Sequence, residues 1–494
     1  MQFTSTRSCQ NVTSAAAITR GIAADGGLFV PCSFPEMSFE KLQSLAAMDY
    51  INRAAEVLKL YLTDYTAEEL DYCIRGAYSN TFDNNDPAPL VEVVPGTEML
   101  ELWHGPTCAF KDMALQLLPF LLVKAANKTA PGRTIVILVA TSGDTGKAAL
   151  AGFADVPNTR IVVFFPENGV SDMQKLQMIT QTGNNVSVCG IEGNFDDAQS
   201  GVKKIFTDEA IRTALDKKNM EFSSANSINF GRLVPQIVYY VSAACDLIKA
   251  GKLKQCGKFN VAVPTGNFGD ILAAYYAKCM GVPIDKLICA SNRNKVLTDF
   301  LATGVYDRNR EFYTTSSPSM DILISSNLER MIFHASGNNA ELTANLMKDL
   351  AEKGRYELPA EVLKKLQSEF FGGFCDEKGT KETISKLFKE HNYLYDTHTA
   401  VAANVLEQYR KTTGDDTLTV VASTASPYKF AASVLPALTA DALPEDGFAQ
   451  LEMLSKLSDT PIPAPLANLK GCKVLHKNCI EKSDMAEFVL DFLK

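Results

Sequence analysis

The chain has 494 residues, 46% of them hydrophobic and 21% charged, a composition typical of a soluble globular protein with two or three domains. Its formal net charge of -9 argues against a polyanion-binding surface, so we expect no nucleic-acid partner. The apolar runs are too short to span a bilayer, so we expect no membrane segment. The five histidines and twelve cysteines lack metal-ligand spacing, so we expect no metal site. The scattered cysteines indicate reduced thiols in a cytoplasmic protein.

The first motif with chemical content follows residues 1–85, which are mostly helical in pattern after a loop at Asp25–Pro31. This motif, Leu102–Asp112, delivers Lys111 to the start of an apolar run. A lysine held there is poorly solvated, loses its proton more easily and becomes an amine that can form Schiff bases. The alternative for Lys111 by itself is a lysine that opens an amphipathic helix with its amine in water.

The strand predicted at Thr134–Ala140 leads into a polar helix start, Thr141–Lys147, that resembles a phosphate-binding P-loop. Nucleotide binding is not expected, because Thr141 and Ala148 stand where that motif needs glycine and Ser or Thr. The hydroxyls and amides suit an anion such as an amino-acid carboxylate, and the alternative is a polar turn with a good cap. The candidate carboxylate contacts are Ser142, Gly143, Asp144 and Thr145.

Short apolar strands alternate with amphipathic helices through the middle of the chain. The further predicted strands are Arg160–Phe165, Asn185–Cys189, Lys258–Val263, Lys286–Ala290 and Leu418–Ser423. The predicted helices are Ser171–Thr182, Arg232–Ala250 and Asp270–Met280. Nearly continuous apolar strands flanked by helices predict parallel sheets that are buried on both faces. Residues 330–395 are charged and helical in pattern, and we expect a strandless insertion there.

Two further motifs precede predicted helices. Asn226–Arg232 is dense in hydrogen-bond donors, and Arg232 can clamp a phosphate; the alternative is a capping motif with Arg232 in a salt bridge.

In Pro264–Asp270, two glycines let the backbone approach a ligand, and the helix start presents free amides to a phosphate monoester. The alternative is a strand-to-helix turn capped by Asp270.

The last predicted strand ends in Ser423–Phe430, where small residues suit a wall against a flat ring. Thr424 offers a hydroxyl to a ring nitrogen, and a simple turn is the alternative. A lysine for an aldehyde, a glycine loop for a phosphate and a hydroxyl for a ring nitrogen together indicate pyridoxal 5'-phosphate, with two anion sites left for the substrate. Such loops gather at the carboxyl ends of strands in open parallel sheets.

With these motifs the chain resembles the threonine synthase family of fungi and bacteria over almost its whole length. The motifs that carry the resemblance are Ser5–Arg7, Asp25–Phe29, Leu102–Asp112, Thr141–Gly146, Asn226–Arg232, Gly266–Asp270, Met320–Asn327 and Thr424–Phe430. The resemblance implies the α/β fold of the tryptophan synthase β subunit (fold type II), with two α/β domains on parallel-rich sheets and an N-terminal helical domain. We expect that domain at 1–85, a catalytic region at 86–460 that contains the insertion near 330–395, and a tail at 461–494.

The resemblance also implies roles for individual residues. Lys111 would hold the cofactor as a Schiff base, and Thr424 would face its ring nitrogen. The cofactor phosphate would be bound by Gly266, Asn267, Phe268, Gly269 and Asp270. The implied reaction converts the small molecule O-phospho-L-homoserine and water into L-threonine and phosphate, and the candidates for contact with the substrate phosphate are Asn226, Asn229, Arg232 and Lys429. Whether the enzyme is a monomer or a homodimer stays open.

One residue departs from the family pattern: Ser426 stands where histidine is common, so efficiency or specificity can differ. A related vertebrate branch acts as a phospholyase and departs in the glycine loop and the Gly-Pro-Thr stretch, both of which this chain keeps. The alternatives are a phospholyase or a serine/threonine dehydratase on the same fold. In a different class, a non-catalytic binding protein could retain the fold.

Overall fold

The N-terminal unit is a small antiparallel sheet covered by helices in the computed structural model, which describes residues 1–494 apart from the side chain of Asp196. Its strands, in the order β2-β1-β3, and its helices are β1 (Phe3–Ser5), β2 (Ser8–Val12), α1 (Ser14–Arg20), β3 (Phe29–Pro31), α2 (Phe39–Ala46), α3 (Tyr50–Tyr61) and α4 (Ala67–Tyr78). The sequence predicted the helices, each of which begins after a Ser, Thr or Asp whose side chain accepts a backbone N–H. The three short strands were not predicted, because runs of this length carry little periodicity.

The strands in the rest of the described chain belong to three sheets. They are β4 (Leu90–Val94), β5 (Thr97–Glu101), β6 (Thr134–Ala140), β7 (Thr159–Pro166), β8 (Val186–Glu192), β9 (Met220–Ser223), β10 (Phe259–Pro264), β11 (Ile284–Ser291), β12 (Val305–Asp307), β13 (Arg355–Glu357), β14 (Phe370–Phe374), β15 (Thr419–Ser423) and β16 (Asn478–Glu481). All the strands predicted in the middle region are present, with ends that differ by at most three residues.

The helices connect these strands and cover the sheets. The α-helices are α5 (Lys111–Leu115), α6 (Leu118–Thr129), α7 (Asp144–Phe153), α8 (Asp172–Ile179), α9 (Phe195–Thr207), α10 (Glu209–Asp216), α11 (Phe230–Lys249), α12 (Gly269–Cys279), α13 (Val296–Thr303), α14 (Leu328–Ala335), α15 (Ala340–Lys353), α16 (Ala360–Glu369), α17 (Glu377–His391), α18 (Thr397–Thr413), α19 (Ala431–Leu438), α20 (Gly447–Ser458), α21 (Ala464–Ala467) and α22 (Met485–Phe492). Short 3₁₀ turns lie at Pro318–Met320, Pro427–Phe430 and Lys482–Asp484. None of the described helices is long and apolar enough to cross a membrane.

The larger sheet has six strands in the order β14-β11-β10-β15-β5-β4, and every neighbouring pair is parallel except β5 with β4. Both of its faces are buried. On β10, Val261 and Val263 join the core cluster that contains α11 and α12, whereas Ala262 joins a second cluster with α18 and α19. Burial on both faces explains why these strands read as apolar runs rather than as alternating patterns.

The smaller parallel sheet has the strand order β16-β8-β7-β6-β9, and it too is buried on both faces. On β6, Ile137 and Val139 face the main core, and Leu138 faces a third cluster closed by α9, α10 and α22. The loops after β6 and β9 in this sheet, and after β5, β10 and β15 in the larger one, carry the motifs singled out in the sequence. They lie at carboxyl ends of parallel strands, where ligand sites form in such sheets.

The expectation of a strandless insertion at 330–395 is wrong. β13 pairs with β12, and β14 pairs in parallel with β11 and forms an edge of the larger sheet. The β14 sequence Phe-Phe-Gly-Gly-Phe is short, and its two glycines lower its strand propensity. The tail expected at 461–494 also contains a strand, because β16 pairs with β8.

Candidate active site

Lys111 is a buried lysine, the first residue of α5, a helix whose side chains are all buried. Its Nζ donates to Ser319 Oγ at 3.0 Å and lies 3.4 Å from Asp144 Oδ2. Burial lowers the pKa of Lys111, an effect that Asp144 opposes and that Lys429 and Arg232 reinforce. The alternative of an amine in open water is therefore excluded, because Lys111 is only 9% exposed.

Asp144, at the start of α7, is the centre of a buried charge cluster. Its Oδ1 lies 2.9 Å from Lys429 Nζ and accepts from Gln174 Nε2 at 2.9 Å, and its Oδ2 accepts from Ser319 Oγ at 2.8 Å. Burial by itself would raise the pKa of Asp144, but the ammonium groups of Lys429 and Lys111 hold it well below its ordinary value. This corrects the sequence prediction in part, because an ionised side chain would repel a substrate carboxylate, which leaves only the main-chain amide of Asp144 suited to that contact.

The loop before α7 is held in a fixed shape. Thr141 Oγ1 accepts from the N–H groups of Gly143 and Gly146, both at 2.9 Å. Gly143 has φ 131°, and a Cβ there would lie 2.4 Å from Gln174 Cδ, so only glycine fits. The neighbouring Ser142 and Thr145 are partly exposed and lie in the same loop as the start of α7, where hydroxyls can meet an anion.

The glycine loop after β10 leaves a helix start open. A Cβ on Gly266 would lie 2.6 Å from the carbonyl oxygen of Ser319, which shows how closely the two backbones approach. Phe268 adopts a left-handed conformation with φ 62° and precedes α12, whose start has no side-chain cap in the described structure. The first amides of α12 are thus available to an anion, as expected for a phosphate site.

Asp270 supports this loop but does not cap it. Its Oδ1 accepts from the hydroxyls of Tyr239 and Tyr240, at 2.5 Å and 2.7 Å. Burial raises the pKa of Asp270 to about 6. Because the carboxyl group is bonded to α11, the capping alternative for Asp270 is wrong.

The end of β15 is fastened to the segment that carries Lys111. Phe110 N donates to Thr424 O at 2.8 Å, and Ser426 N donates to Cys108 O at 3.0 Å. Thr424 is 5% exposed, and Ser426 is fully buried with no hydrogen-bond partner for its Oγ among the described residues. These backbone bonds place Thr424 beside the Lys111 segment, as the cofactor prediction requires.

Lys429 is not a free cation. Its side chain is fully buried, and its Nζ donates to Thr107 O at 2.8 Å and forms the ion pair with Asp144. Sequence reasoning made Lys429 a candidate for the substrate phosphate. The structure instead makes it the partner that neutralises Asp144.

Arg232, near the start of α11, carries a buried charge without a counter-ion. Its Nη1 donates to Ala225 O at 2.6 Å, and its Nε has no hydrogen-bond partner among the described residues. No carboxylate of the described residues forms an ion pair with Arg232, so the salt-bridge alternative is not observed. Burial lowers the pKa of Arg232 to about 10, and a buried cation of this kind favours an anionic ligand.

Asn229 is fully used inside the protein. Its Oδ1 accepts from Gly231 N and caps α11, and its Nδ2 donates to Ile18 O and Ser224 O at 2.9 Å and 2.8 Å. We therefore reassign Asn229 from substrate contact to helix cap. Asn226, three residues earlier, is partly exposed and keeps its side chain for a ligand.

The sequence analysis did not identify Ser319, the side chain of His398 next to it, or Asp396, which contacts His398. Ser319 N donates to His398 Nε2 at 3.3 Å, and His398 Nδ1 lies 2.9 Å from Asp396 Oδ1. The acceptor role of Nε2 assigns the ring proton to Nδ1, which faces Asp396. The available signal was the position of Ser319 immediately before Met320–Asn327, a run already marked by the resemblance.

These residues fit pyridoxal phosphate. The uncapped loop at 266–269 suits its phosphate, and Lys111 offers a buried amine with a lowered pKa. Several buried polar atoms of the site lack a partner among the described residues, including Arg232 Nε, Asn327 Nδ2 and Ser426 Oγ. An unpaired buried polar group costs about 1–3 kcal/mol, so atoms of this kind around one site indicate a polar ligand.

Known protein families match most of the chain. Residues 2–78 match the family described as "Threonine synthase N terminus", residues 100–424 match "Pyridoxal-phosphate dependent enzyme", and residues 399–465 match "Threonine synthase, C-terminal". These matches cover the N-terminal unit, the six-stranded and five-stranded sheets apart from β4, the start of β5 and β16, and the helices α19 and α20 that follow β15.

Individual relatives agree with the families. "Threonine synthase-like 1" of Homo sapiens is 41% identical over 90% of this chain, which spans only 60% of that relative's length. "Threonine synthase" of Pseudomonas aeruginosa is 37% identical over 84% of this chain and 85% of its own. The crystal structure of "PLP bound Threonine synthase from Brucella melitensis" matches with a TM-score of 0.88 and 35% identity, over 100% of this chain and 99% of that one. The resemblance, the fold and the cofactor predicted from the sequence are confirmed.

Proposed function

This chain belongs to the threonine synthase family of pyridoxal-phosphate-dependent enzymes, and from that membership we propose that it converts O-phospho-L-homoserine and water into L-threonine and phosphate. The observation that carries the proposal is the position of Ser319. Its hydroxyl accepts from the Lys111 amine, and its carbonyl oxygen lies against Gly266. One residue thus spans the distance between the amine and the phosphate loop, which a single cofactor molecule must also span.

Lys111 is the residue that holds the cofactor and then moves protons. When bound, pyridoxal phosphate supplies an electron sink for charge that develops at the substrate α carbon. As a free amine, Lys111 would take the α proton, a role that its lowered pKa favours. Asp144 Oδ2 and Ser319 Oγ hold the resulting ammonium in place for the later return of a proton.

The substrate anions are bound by separate groups. The loop at Ser142–Thr145 offers amides and hydroxyls for the carboxylate, and Arg232 with Asn226 offers an unpaired guanidinium Nε and an amide for the phosphate that leaves. Lys429 keeps Asp144 ionised and acts on the substrate only through that carboxylate. Because these groups are largely buried, bound substrate displaces water until the last step, in which water adds.

The decisive experiment assays the purified holoenzyme with O-phospho-L-homoserine for both L-threonine and 2-oxobutanoate. We expect threonine and phosphate in equal amounts. Keto acid and ammonia as the main products would refute the synthase assignment. A colourless protein that binds no cofactor would point to the non-catalytic alternative.

A phospholyase is the second candidate, and Ser426 is the observation that favours it. Its hydroxyl is buried, has no hydrogen-bond partner in the described part of the chain, and stands where the resembling family commonly has histidine. A missing imidazole can weaken control of the late protonation and let the keto acid escape. If this holds, Ser426→His should raise the ratio of threonine to keto acid. An equal ratio in the variant and in the unmodified enzyme would show that Ser426 does not favour the keto acid.

We also propose a cytoplasmic location and small-molecule partners. All twelve cysteines are free thiols in the structure, which supports a reducing compartment. The net charge of -9 supports the absence of a nucleic-acid partner. Among the described residues, no group of three or more His, Cys, Asp or Glu side chains is placed to hold a metal ion.

A further inference from the structure

Asn327 carries an unpaired hydrogen-bond donor that faces the phosphate loop. The residue is fully buried, and its Nδ2 has no partner among the described residues. That nitrogen lies 3.3 Å from the position a Cβ would take on Gly269, the first residue of α12. A buried amide N–H without an acceptor is rare in native proteins, so this one indicates a ligand atom.

The orientation of this amide is fixed by Arg330, one turn later on α14. Arg330 Nη1 donates to Asn327 Oδ1, and a guanidinium has donors only, so the oxygen must face Arg330 and the nitrogen must face the loop. Arg330 is itself fully buried and held by Phe29 O at 2.9 Å and Ile228 O at 2.5 Å. The orientation of the Asn327 amide is therefore set by α14, by β3 and by the loop that precedes α11.

The backbone holds Asn327 against the loop as well. Asn327 N donates to Asn267 O at 3.0 Å, and Ser325 Oγ donates to Gly266 O at 2.8 Å. Two hydrogen bonds thus hold the two segments together next to the unpaired amide. The uncapped start of α12 and a fixed side-chain donor therefore lie next to each other, an arrangement that suits a monoester oxygen.

We propose that Asn327 Nδ2 donates a hydrogen bond to the phosphate of the bound cofactor, and that Arg330 is the positioning residue that aims it. This inference rests on the cofactor of the proposed function but not on the reaction catalysed. It extends the phosphate site beyond the loop at 266–270 to a residue on a separate chain segment.

The test compares two cofactor forms on the cofactor-free protein, pyridoxal 5'-phosphate and pyridoxal, which lacks the phosphate. Affinity for each is measured by titration of the absorbance that the Lys111 adduct produces. Asn327→Ala should weaken binding of pyridoxal 5'-phosphate by about 10- to 100-fold, the loss expected for a hydrogen bond to a charged group, and leave pyridoxal unchanged. Equal losses for both forms, or no loss for either, would overturn the proposal.

A second variant guards against misfolding. Asn327→Asp keeps the side-chain shape and gives Arg330 a charged acceptor, so the fold should hold, but it replaces the donor by a group that repels phosphate. Its selective loss for pyridoxal 5'-phosphate should exceed that of Asn327→Ala, and a smaller or absent selective loss contradicts the proposal. Asn260→Ala is the matched control, because Asn260 is equally buried at the far end of β10 with its amide bonded to Asp415 and Lys286. It should not separate the two ligands.

Failure of this inference is distinct from failure of the proposed function. The function is judged by threonine formation in the unmodified enzyme. The inference is judged by the ratio of the two cofactor affinities, which needs no turnover.

Discussion

Among the individual residues, Asp144 sets the charge balance of the site. It is one carboxylate between the ammonium groups of Lys429 and Lys111, and the guanidinium of Arg232 lies near enough to lower the pKa of Lys111. The cluster is therefore short of negative charge by itself. Cofactor and substrate phosphates would supply that charge, which explains why so many cations can be buried together.

Lys111→Ala should abolish the visible absorbance of covalently bound cofactor and reduce threonine formation to the background level, because no other amine is expected to reach the aldehyde. Borohydride reduction and peptide mass mapping of the unmodified enzyme should place the adduct on Lys111. Lys147→Ala is the control: burial lowers the pKa of Lys147 to about 8, but its Nζ is bonded to Gln181. An adduct on Lys147 would contradict the assignment.

Asp144→Asn should lower the pKa of Lys111 further, because the carboxylate that stabilises the ammonium is gone. The rate of cofactor uptake by the cofactor-free protein should then reach its plateau at a lower pH than in the unmodified protein. We also expect a stability loss of about 3 kcal/mol, the usual result when one partner of a buried ion pair is removed. Glu329→Gln alters a buried acid that pairs with Arg7 and should leave the uptake profile unshifted; an equal shift in both variants would disprove the role of Asp144.

Among the secondary-structure elements, α14 packs on α12 through a neutral histidine. His334 on α14 is buried, its Nε2 lies 2.9 Å from the hydroxyl of Tyr276 on α12, and its Nδ1 lies 3.2 Å from Asn338 Oδ1. Burial lowers the pKa of His334 to about 4, and Arg330 and Lys365 lower it as well. The helix that holds Asn327 at its start is thus anchored by a group that must stay uncharged.

The contribution of His334 to stability should depend on pH. Its folded pKa lies below the ordinary value of about 6.5, so the contribution is complete above pH 6.5 and is lost as the pH falls toward 4. The full loss amounts to roughly 3 kcal/mol. Urea unfolding of the cofactor-free protein between pH 7 and pH 4.5 should show a smaller decline for His334→Gln than for the unmodified chain. Parallel declines in the two proteins would contradict this assignment.

In the molecule as a whole, the carboxyl ends of the strands of the two parallel-stranded sheets face each other. Lys111 follows β5 of the larger sheet, Asp144 follows β6 of the smaller one, and their contact crosses from one sheet to the other. The N-terminal unit is tied to this body by Arg7, which binds Glu329 at 2.7 Å. The site is therefore assembled from both sheets.

Removal of residues 478–494 should expose the edge of β8 and the apolar cluster that Met485, Val489 and Leu493 help to close. An unpaired parallel edge invites aggregation, so the shortened protein should bind a hydrophobic dye and lose solubility. Lys482→Ala, which removes only an exposed ion pair with Asp197, should behave like the full chain. A soluble, dye-negative truncation product would show that this tail is dispensable.

Features that depend on neighbouring residues could be predicted from the sequence. The Lys111 motif, the glycine loop at 266–270 and the apolar strands each carry their information within a few residues, because helix starts, tight turns and doubly buried strands impose local composition. The confirmed fold and cofactor depend on those local patterns.

Only the tertiary structure decided which distant groups meet. The pairing of Asp144 with Lys429, the bridge through Ser319, the use of Asn229 as a cap and the addition of β14 to the larger sheet depend on contacts between segments far apart in the chain. A buried polar side chain takes whichever partner the packed core places beside it, and nothing in its own neighbourhood along the sequence records that partner.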